Sequence, residues 1–175
     1  MLKSAKMRGS VRIAVPAAND RAYNCIAKIL AANAHGLNVV LSKADAREVL
    51  LSSICAVVAS GTATLEAALA RCPTVLVYKV GPIFAWLARR VIKGIRHIGL
   101  VNIVWEKSGG SGVSPMPELL QEDFTPENVA SILKRWITSS ELRMSAIKRL
   151  DDVVAMLGGG VSAFDRMVSS IKEEK

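Results

Sequence analysis

Imidazole and thiol are scarce in this sequence. His35 and His97 are the two histidines among 175 residues, and Cys25, Cys55 and Cys72 are the three cysteines. So few imidazoles, set far apart, argue against a histidine-rich metal site. An odd number of widely spaced cysteines in apolar surroundings reads as buried thiols in a reducing compartment, not as metal ligands or nucleophiles. Aromatic residues make up 5% of the chain, too few for the interleaved rings of a single-strand platform. No zinc spacing, RNP-like run or helix-turn-helix pattern appears, so nucleic acid is set aside as a partner despite a pI near 9.7. Long hydrophobic runs are missing too. The segments Ile54–Ala59 and Thr74–Tyr78 fall far below the roughly 20 apolar residues that span a bilayer, and no transmembrane helix is expected. The start, Met1-Leu2-Lys3-Ser4-Ala5-Lys6-Met7-Arg8, lacks an apolar core before a cleavage site and does not read as a secretory signal. Ser4, Lys6 and Arg8 without an acid leave an organelle-targeting segment open.

What is present is a packed, soluble composition: 51% hydrophobic and 22% charged, enough for one ordinary domain with a core of its own. The formal net charge is +8, and it is unevenly placed. Between Glu66 and Glu106 there is no carboxylate, while Arg71, Lys79, Arg89, Arg90, Lys93 and Arg96 fall in that window. Such a basic stretch suits phosphates or an anionic surface.

Short β-rich runs alternate with helical patterns through most of the chain, the signature of a doubly wound α/β fold with a parallel sheet. After a basic segment over residues 1–10, strands are expected at Val11–Val15, Leu37–Leu41, Cys55–Ala59, Thr74–Lys79 and His97–Val104. Helices are expected at Asp20–Asn33, with Tyr23, Ile26, Ala27 and Leu30 on one face, at Asp45–Ser53, at Ala63–Ala70, and from Pro82 to about Lys93. A loop at Ser108-Gly109-Gly110-Ser111-Gly112, continued through Pro115 and Pro117, then interrupts the alternation. Thr125-Pro126-Glu127 combines a capping hydroxyl, proline at the first helical position and an early acid, and so starts a helix. Helices are expected at Glu127–Thr138, Ser140–Leu157 and Val161–Glu173. The division is thus an α/β domain over 11–135 and a C-terminal helical section over 136–175.

The chemistry is expected where the third strand ends. Ser60-Gly61-Thr62 turns a buried strand into a helix, leaving backbone N–H groups at the helix start with two hydroxyls beside them. Phosphate oxygens gain there from the N–H groups and from the positive end of the helix dipole. Ligands of parallel α/β sheets collect at the carboxyl ends of strands. Glu66, one turn into the helix, is within range of ribose hydroxyls. An ordinary capped helix accounts for the same pattern, and the residues alone leave both readings open.

The run Ser60-Gly61-Thr62-Ala63-Thr64-Leu65-Glu66 is followed by Cys72-Pro73, Val77-Tyr78-Lys79 and Phe84-Ala85-Trp86-Leu87-Ala88-Arg89-Arg90. Asn102, then Pro117-Glu118-Leu119-Leu120-Gln121-Glu122, then Thr125-Pro126-Glu127-Asn128 come after it. In this order and near this spacing, the segments closely resemble the C-terminal half of lipid-A-disaccharide synthases, over about residues 10–135. The resemblance implies the donor-binding, Rossmann-like half of a GT-B glycosyltransferase that transfers a diacylglucosamine from UDP to a diacylglucosamine 1-phosphate. It implies no metal and no redox cofactor. It places Ser60, Gly61 and Thr62 near the diphosphate and Glu66 near the ribose of the UDP-diacylglucosamine, with Asn102 and Gln121 at polar positions of the same site.

The same resemblance implies that the acceptor-binding domain, with its catalytic acid, and the first strand of the donor domain with its Gly-Ser-Arg turn are not in this chain. No catalytic residue is therefore expected here, and the alternative is a truncated, non-catalytic product that binds UDP or a partner. Uncovered sheet surface then favours homo-oligomers. Two further departures are Lys79, where the family usually has arginine, and a Gly/Ser-rich insertion after Asn102-Ile103-Val104-Trp105-Glu106-Lys107. Lysine keeps the charge but loses the two-pronged donor geometry.

The helix expected after Pro82 carries Arg89, Lys93 and Arg96 at helical spacing, with Arg90 and Trp86 nearby. It suits an anionic membrane surface, and equally a core-packed helix with a solvated basic face. The expected location is peripheral, on the cytoplasmic side of the inner membrane in a bacterium or in the mitochondrion of a plant.

Overall fold

The computed structural model describes residues 11–59, 61–79 and 97–157. Its described residues form two compact units that divide between Ser53 and Ile54.

In the first unit β1 (Arg12–Pro16) lies parallel to β2 (Asn38–Ser42), with Arg12 opposite Asn38 and Pro16 opposite Ser42. The intervening α1 (Asp20–Asn33) is capped by Asn19, whose Oδ1 accepts from the Ala22 N–H at 2.9 Å. Such a cap engages one of the four N–H groups that a helix start leaves free. Tyr23, Ile26, Ala27 and Leu30 are the half-buried face of α1, as the helical spacing predicts. No residue of α1 is fully buried, and Cys25 is exposed, which corrects the reading of all three cysteines as buried. It falls on the solvent side, one residue before the Ile26–Ala27 stripe. Helix α2 (Ala46–Leu51) follows, capped by Asp45 through the Arg47 N–H at 2.9 Å.

The second unit is a parallel three-stranded sheet in the order β3-β4-β5, with β3 at Ala56–Ala59, β4 at Thr74–Tyr78 and β5 at Glu118–Leu120. Helix α3 (Ala63–Leu69) crosses from β3 to β4. Helix α4 (Leu100–Lys107) precedes β5. A short 3₁₀ turn (Gln121–Asp123), α5 (Pro126–Thr138) and α6 (Ser140–Met156) complete it. This is the parallel α/β, Rossmann-like arrangement that the alternating pattern predicts.

The central strand explains the packing. Thr74, Val75, Leu76 and Val77 are all buried, because a parallel strand is covered on both faces. Side chains alternate along it. Val75 and Val77 join Val129 and Trp136 of α5 and Ala146 of α6 in one cluster, while Leu76 lies against Gly99 at the start of α4. Burial of each large side chain in such a cluster stabilises the fold by about 1.5–3 kcal/mol. Cys55 packs against this cluster and Cys72 is 1% exposed.

One element differs in kind. His97–Val104 is β-rich in sequence, yet Leu100–Lys107 is helical. Val101, Asn102 and Trp105 are its buried residues, a helical face and not an alternating one, so tertiary packing overrides the β-branched composition. The strand Glu118–Leu120 takes its place in the sheet. The helices expected after Pro82 and over Val161–Glu173 lie outside the described residues.

Candidate functional site

Strand register brings three turns to one edge. Ala59 pairs with Val77, and Tyr78 with Leu120. The carboxyl ends of β3, β4 and β5 are therefore level, and Gly61, Lys79 and Gln121 leave the sheet there within one or two residues of those pairs.

The turn after β3 depends on its glycine. Gly61 has φ +151°, a conformation that side-chain-bearing residues rarely adopt, and a Cβ on it would meet nothing within 4 Å. Among the described residues, nothing occupies the space beside this backbone. Thr64, fully buried, donates its hydroxyl to the Gly61 carbonyl at 2.7 Å and so braces the turn from inside the helix. Thr62, the N-cap of α3, makes no side-chain cap bond. Among the described residues, no hydrogen bond engages the N–H groups of Thr62 and Ala63. Two peptide donors and one hydroxyl thus stand uncommitted at the positive end of α3. Glu66 is half-buried one turn further on, and among the described residues its carboxylate has no partner. Lys79 is exposed at the end of β4.

Gln121 follows β5 with φ +50°, a left-handed backbone uncommon for glutamine and held only where neighbours impose it. Its carbonyl accepts from the Phe124 N–H at 3.3 Å. Gly61, Thr62, Glu66 and Gln121 are therefore associated with one sheet edge or the helix rising from it.

Asn102 is placed differently. It is fully buried, donating to the Met116 carbonyl at 2.7 Å and to Glu118 Oε1 at 2.7 Å, and accepting from the Met116 N–H at 3.0 Å. Both amide hydrogens of its side chain are engaged within the protein. Ser60, Trp86, Arg89, Arg90, Lys93 and Arg96 lie outside the described residues.

Two residues with clear structural work were not singled out from the sequence. Thr64 shows only as a hydroxyl inside a helix. Glu118 accepts from the Ile98 N–H at 2.9 Å and the Gly99 N–H at 3.2 Å as well as from Asn102, partners 16 to 20 residues away that no local pattern reveals. His97 Nδ1 lies 3.4 Å from Glu118 Oε1. Among the described residues, no group of three His, Cys, Asp or Glu could hold a metal ion, and no helix is long and apolar enough to cross a membrane.

The arrangement suits an anion with a hydroxylated group attached. Uncommitted N–H groups sit at a glycine turn where backbone can be approached closely, and a carboxylate follows on the same helix. Residues 3–169 match the family model described as lipid-A-disaccharide synthetase. The chain belongs to the lipid-A-disaccharide synthase family. It is 36% identical over 121 residues to the lipid-A-disaccharide synthase of Rhodospirillum centenum, covering 69% of this chain and 28% of that protein. It is 35% identical over 133 residues to that of Erwinia tasmaniensis, covering 76% and 33%. Over 101 residues it is 41% identical to that of Trichlorobacter lovleyi, covering 58% and 24%. This lipid-A-disaccharide synthase family member thus spans about a third or less of the length of these relatives.

Proposed function

We propose that this chain binds the UDP moiety of a UDP-diacylglucosamine donor, as the donor-binding part of a lipid-A-disaccharide synthase-type glycosyltransferase. The acceptor of the complete reaction is a diacylglucosamine 1-phosphate. The observation that carries this reading is the open turn at Gly61–Thr62, with its uncommitted N–H groups at the start of α3. The diphosphate sits there, the ribose hydroxyls donate to Glu66, and Gln121 faces the donor from the end of β5. Lys79, exposed at the end of β4, adds positive charge for the phosphates. Ser60 belongs to the same turn by sequence.

Sugar transfer needs an acceptor and a proton-abstracting group held opposite the donor. Among the described residues at this edge, the groups assigned above serve donor binding and not that pair. Trp86, Arg89, Arg90, Lys93 and Arg96 are assigned by their chemistry to an anionic membrane surface, in keeping with substrates that carry acyl chains. The location is then peripheral, on the cytoplasmic face of the inner membrane in a bacterium.

Calorimetric titration with UDP tests the reading. Saturable binding near one UDP per chain is expected. No heat of binding up to millimolar UDP would overturn it.

A further inference from the structure

β5 is only three residues long and, among the described residues, pairs with β4 alone. Three register pairs, from Leu76–Glu118 to Tyr78–Leu120, give it few ladder bonds, so its place depends on what holds its start. That hold is a side-chain network. Asn102 pairs with the peptide groups of Met116 in both directions, much as a neighbouring strand would. The second Asn102 amide hydrogen goes to Glu118, whose side chain is 8% exposed. The Glu118 carboxylate also accepts the N–H groups of Ile98 and Gly99, at the positive end of α4, where a negative charge is stabilised. One carboxylate therefore ties the start of α4 to the start of β5. Three residues beyond Glu118 stands Gln121 at φ +50°, a conformation that persists only where the surrounding structure enforces it.

We propose that Asn102 and Glu118 are a positioning pair that sets Gln121 at the carboxyl edge for donor binding, without either touching the donor. The inference rests on the UDP reading of that edge. Asn102, with both amide hydrogens engaged internally, acts through Glu118 and β5. Glu118→Gln keeps the shape but removes the negative charge facing three N–H donors, and loosens the start of β5.

The experiment has two arms, both on the full 175-residue chain. Hydrogen exchange reads the position directly: Glu118→Gln speeds exchange at Leu119–Gln121 about tenfold or more, while Val75–Val77 stays protected. UDP affinity is then measured in a cycle of Glu118→Gln, Gln121→Ala and the double variant. Glu118→Gln weakens UDP about tenfold in the parent and less than about twofold once Gln121 is alanine, because coupled residues are non-additive. A merely structural role gives full additivity. Unchanged exchange at Leu119–Gln121, additive losses, or Gln121→Ala binding UDP like the parent each overturn the proposal. A parent chain that binds no UDP overturns the donor reading, and with it the donor role of Gln121; the exchange arm still decides whether Glu118 holds β5. Should Glu118→Gln fail to fold, Glu118→Asp, with its charge one methylene short, carries the same readouts.

Discussion

Asn102 and Met116 exchange hydrogen bonds in both directions, Met116 N–H to Asn102 Oδ1 at 3.0 Å and Asn102 Nδ2 to the Met116 carbonyl at 2.7 Å. Both residues are 0% exposed, so water does not replace either bond without opening the structure. Asn102→Ala leaves the buried Met116 N–H unmatched, at about 1–3 kcal/mol, while the Met116 carbonyl keeps the Ser114 hydroxyl at 3.3 Å. A loss of about 2 kcal/mol in urea unfolding is expected, with the denaturant slope unchanged. A loss below about 1 kcal/mol would show that the Met116 N–H finds another partner.

Backbone strain and a surface ion pair can be separated at Arg71. Its φ is +55°, at the end of α3, and its Nε lies 2.6 Å from Asp151 Oδ1 on α6. The left-handed conformation costs a non-glycine residue about 1–2 kcal/mol, whereas an exposed pair contributes about 0–1 kcal/mol. Arg71→Ala and Arg71→Gly both remove the pair, but glycine alone relieves the strain. Arg71→Gly is therefore expected to be the more stable of the two by about 1 kcal/mol in parallel unfolding curves, after allowing for the greater unfolded-state freedom of glycine. Equal stabilities would mean that the turn is unstrained.

Local chemistry was legible where it acts within a few residues. Thr125-Pro126 starts α5, and the Thr125 hydroxyl oxygen accepts from the Asn128 N–H at 3.2 Å. Gly61, Thr62 and the helix after them follow β3 as the strand-turn-helix pattern predicts. Legibility fails where long-range partners decide. His97–Val104 has the composition of a strand, and Glu118, far along the chain, receives the N–H groups that open a helix there instead. At three residues, β5 is too short for alternation to show. The resemblance puts Asn102 at a polar position of the donor site, but its bonds to Met116 and Glu118 join residues that a linear reading does not bring to it. Cys25 sits in an apolar neighbourhood of sequence, yet one position off the buried stripe of α1.

The thiols divide by environment. Burial pushes the Cys55 thiol up, against the opposing pull of the Arg143 guanidinium. Burial first, and then proximity to Cys55, push Cys72 up to about 12 from an ordinary value of 9.0. The thiolate is the reacting form, so a chromogenic disulfide reagent at pH 8 should titrate the exposed Cys25 rapidly and the other two only on unfolding. Between pH 9 and about 12 the folded chain keeps a proton on Cys72 that the unfolded chain releases. The Cys72 contribution to stability is therefore fully present below about pH 9 and falls as pH rises through that window. Cys72→Ala should flatten this part of the stability profile. A slope of the same size in the variant would assign it to other groups.

Gly61 and Glu66 test the donor edge from two sides. Gly61 at φ +151° has open space where a Cβ would stand, so Gly61→Val destabilises the free chain through backbone strain alone, by about 1–3 kcal/mol. If the diphosphate occupies that space, the same side chain also blocks it, and UDP affinity falls further than the loss of folded population accounts for. Glu66 is half-buried and without a partner among the described residues, so Glu66→Ala leaves no group in the protein unsatisfied and should shift stability by less than about 0.5 kcal/mol. It should nevertheless weaken UDP by about 1.5–3 kcal/mol, the cost of losing a hydrogen bond to a charged group. Deoxyuridine diphosphate sharpens the assignment, because a ligand already lacking one ribose hydroxyl loses less than UDP does on going from Glu66 to alanine. Both variants binding UDP as tightly as a parent that binds it measurably would place the nucleotide elsewhere on the chain.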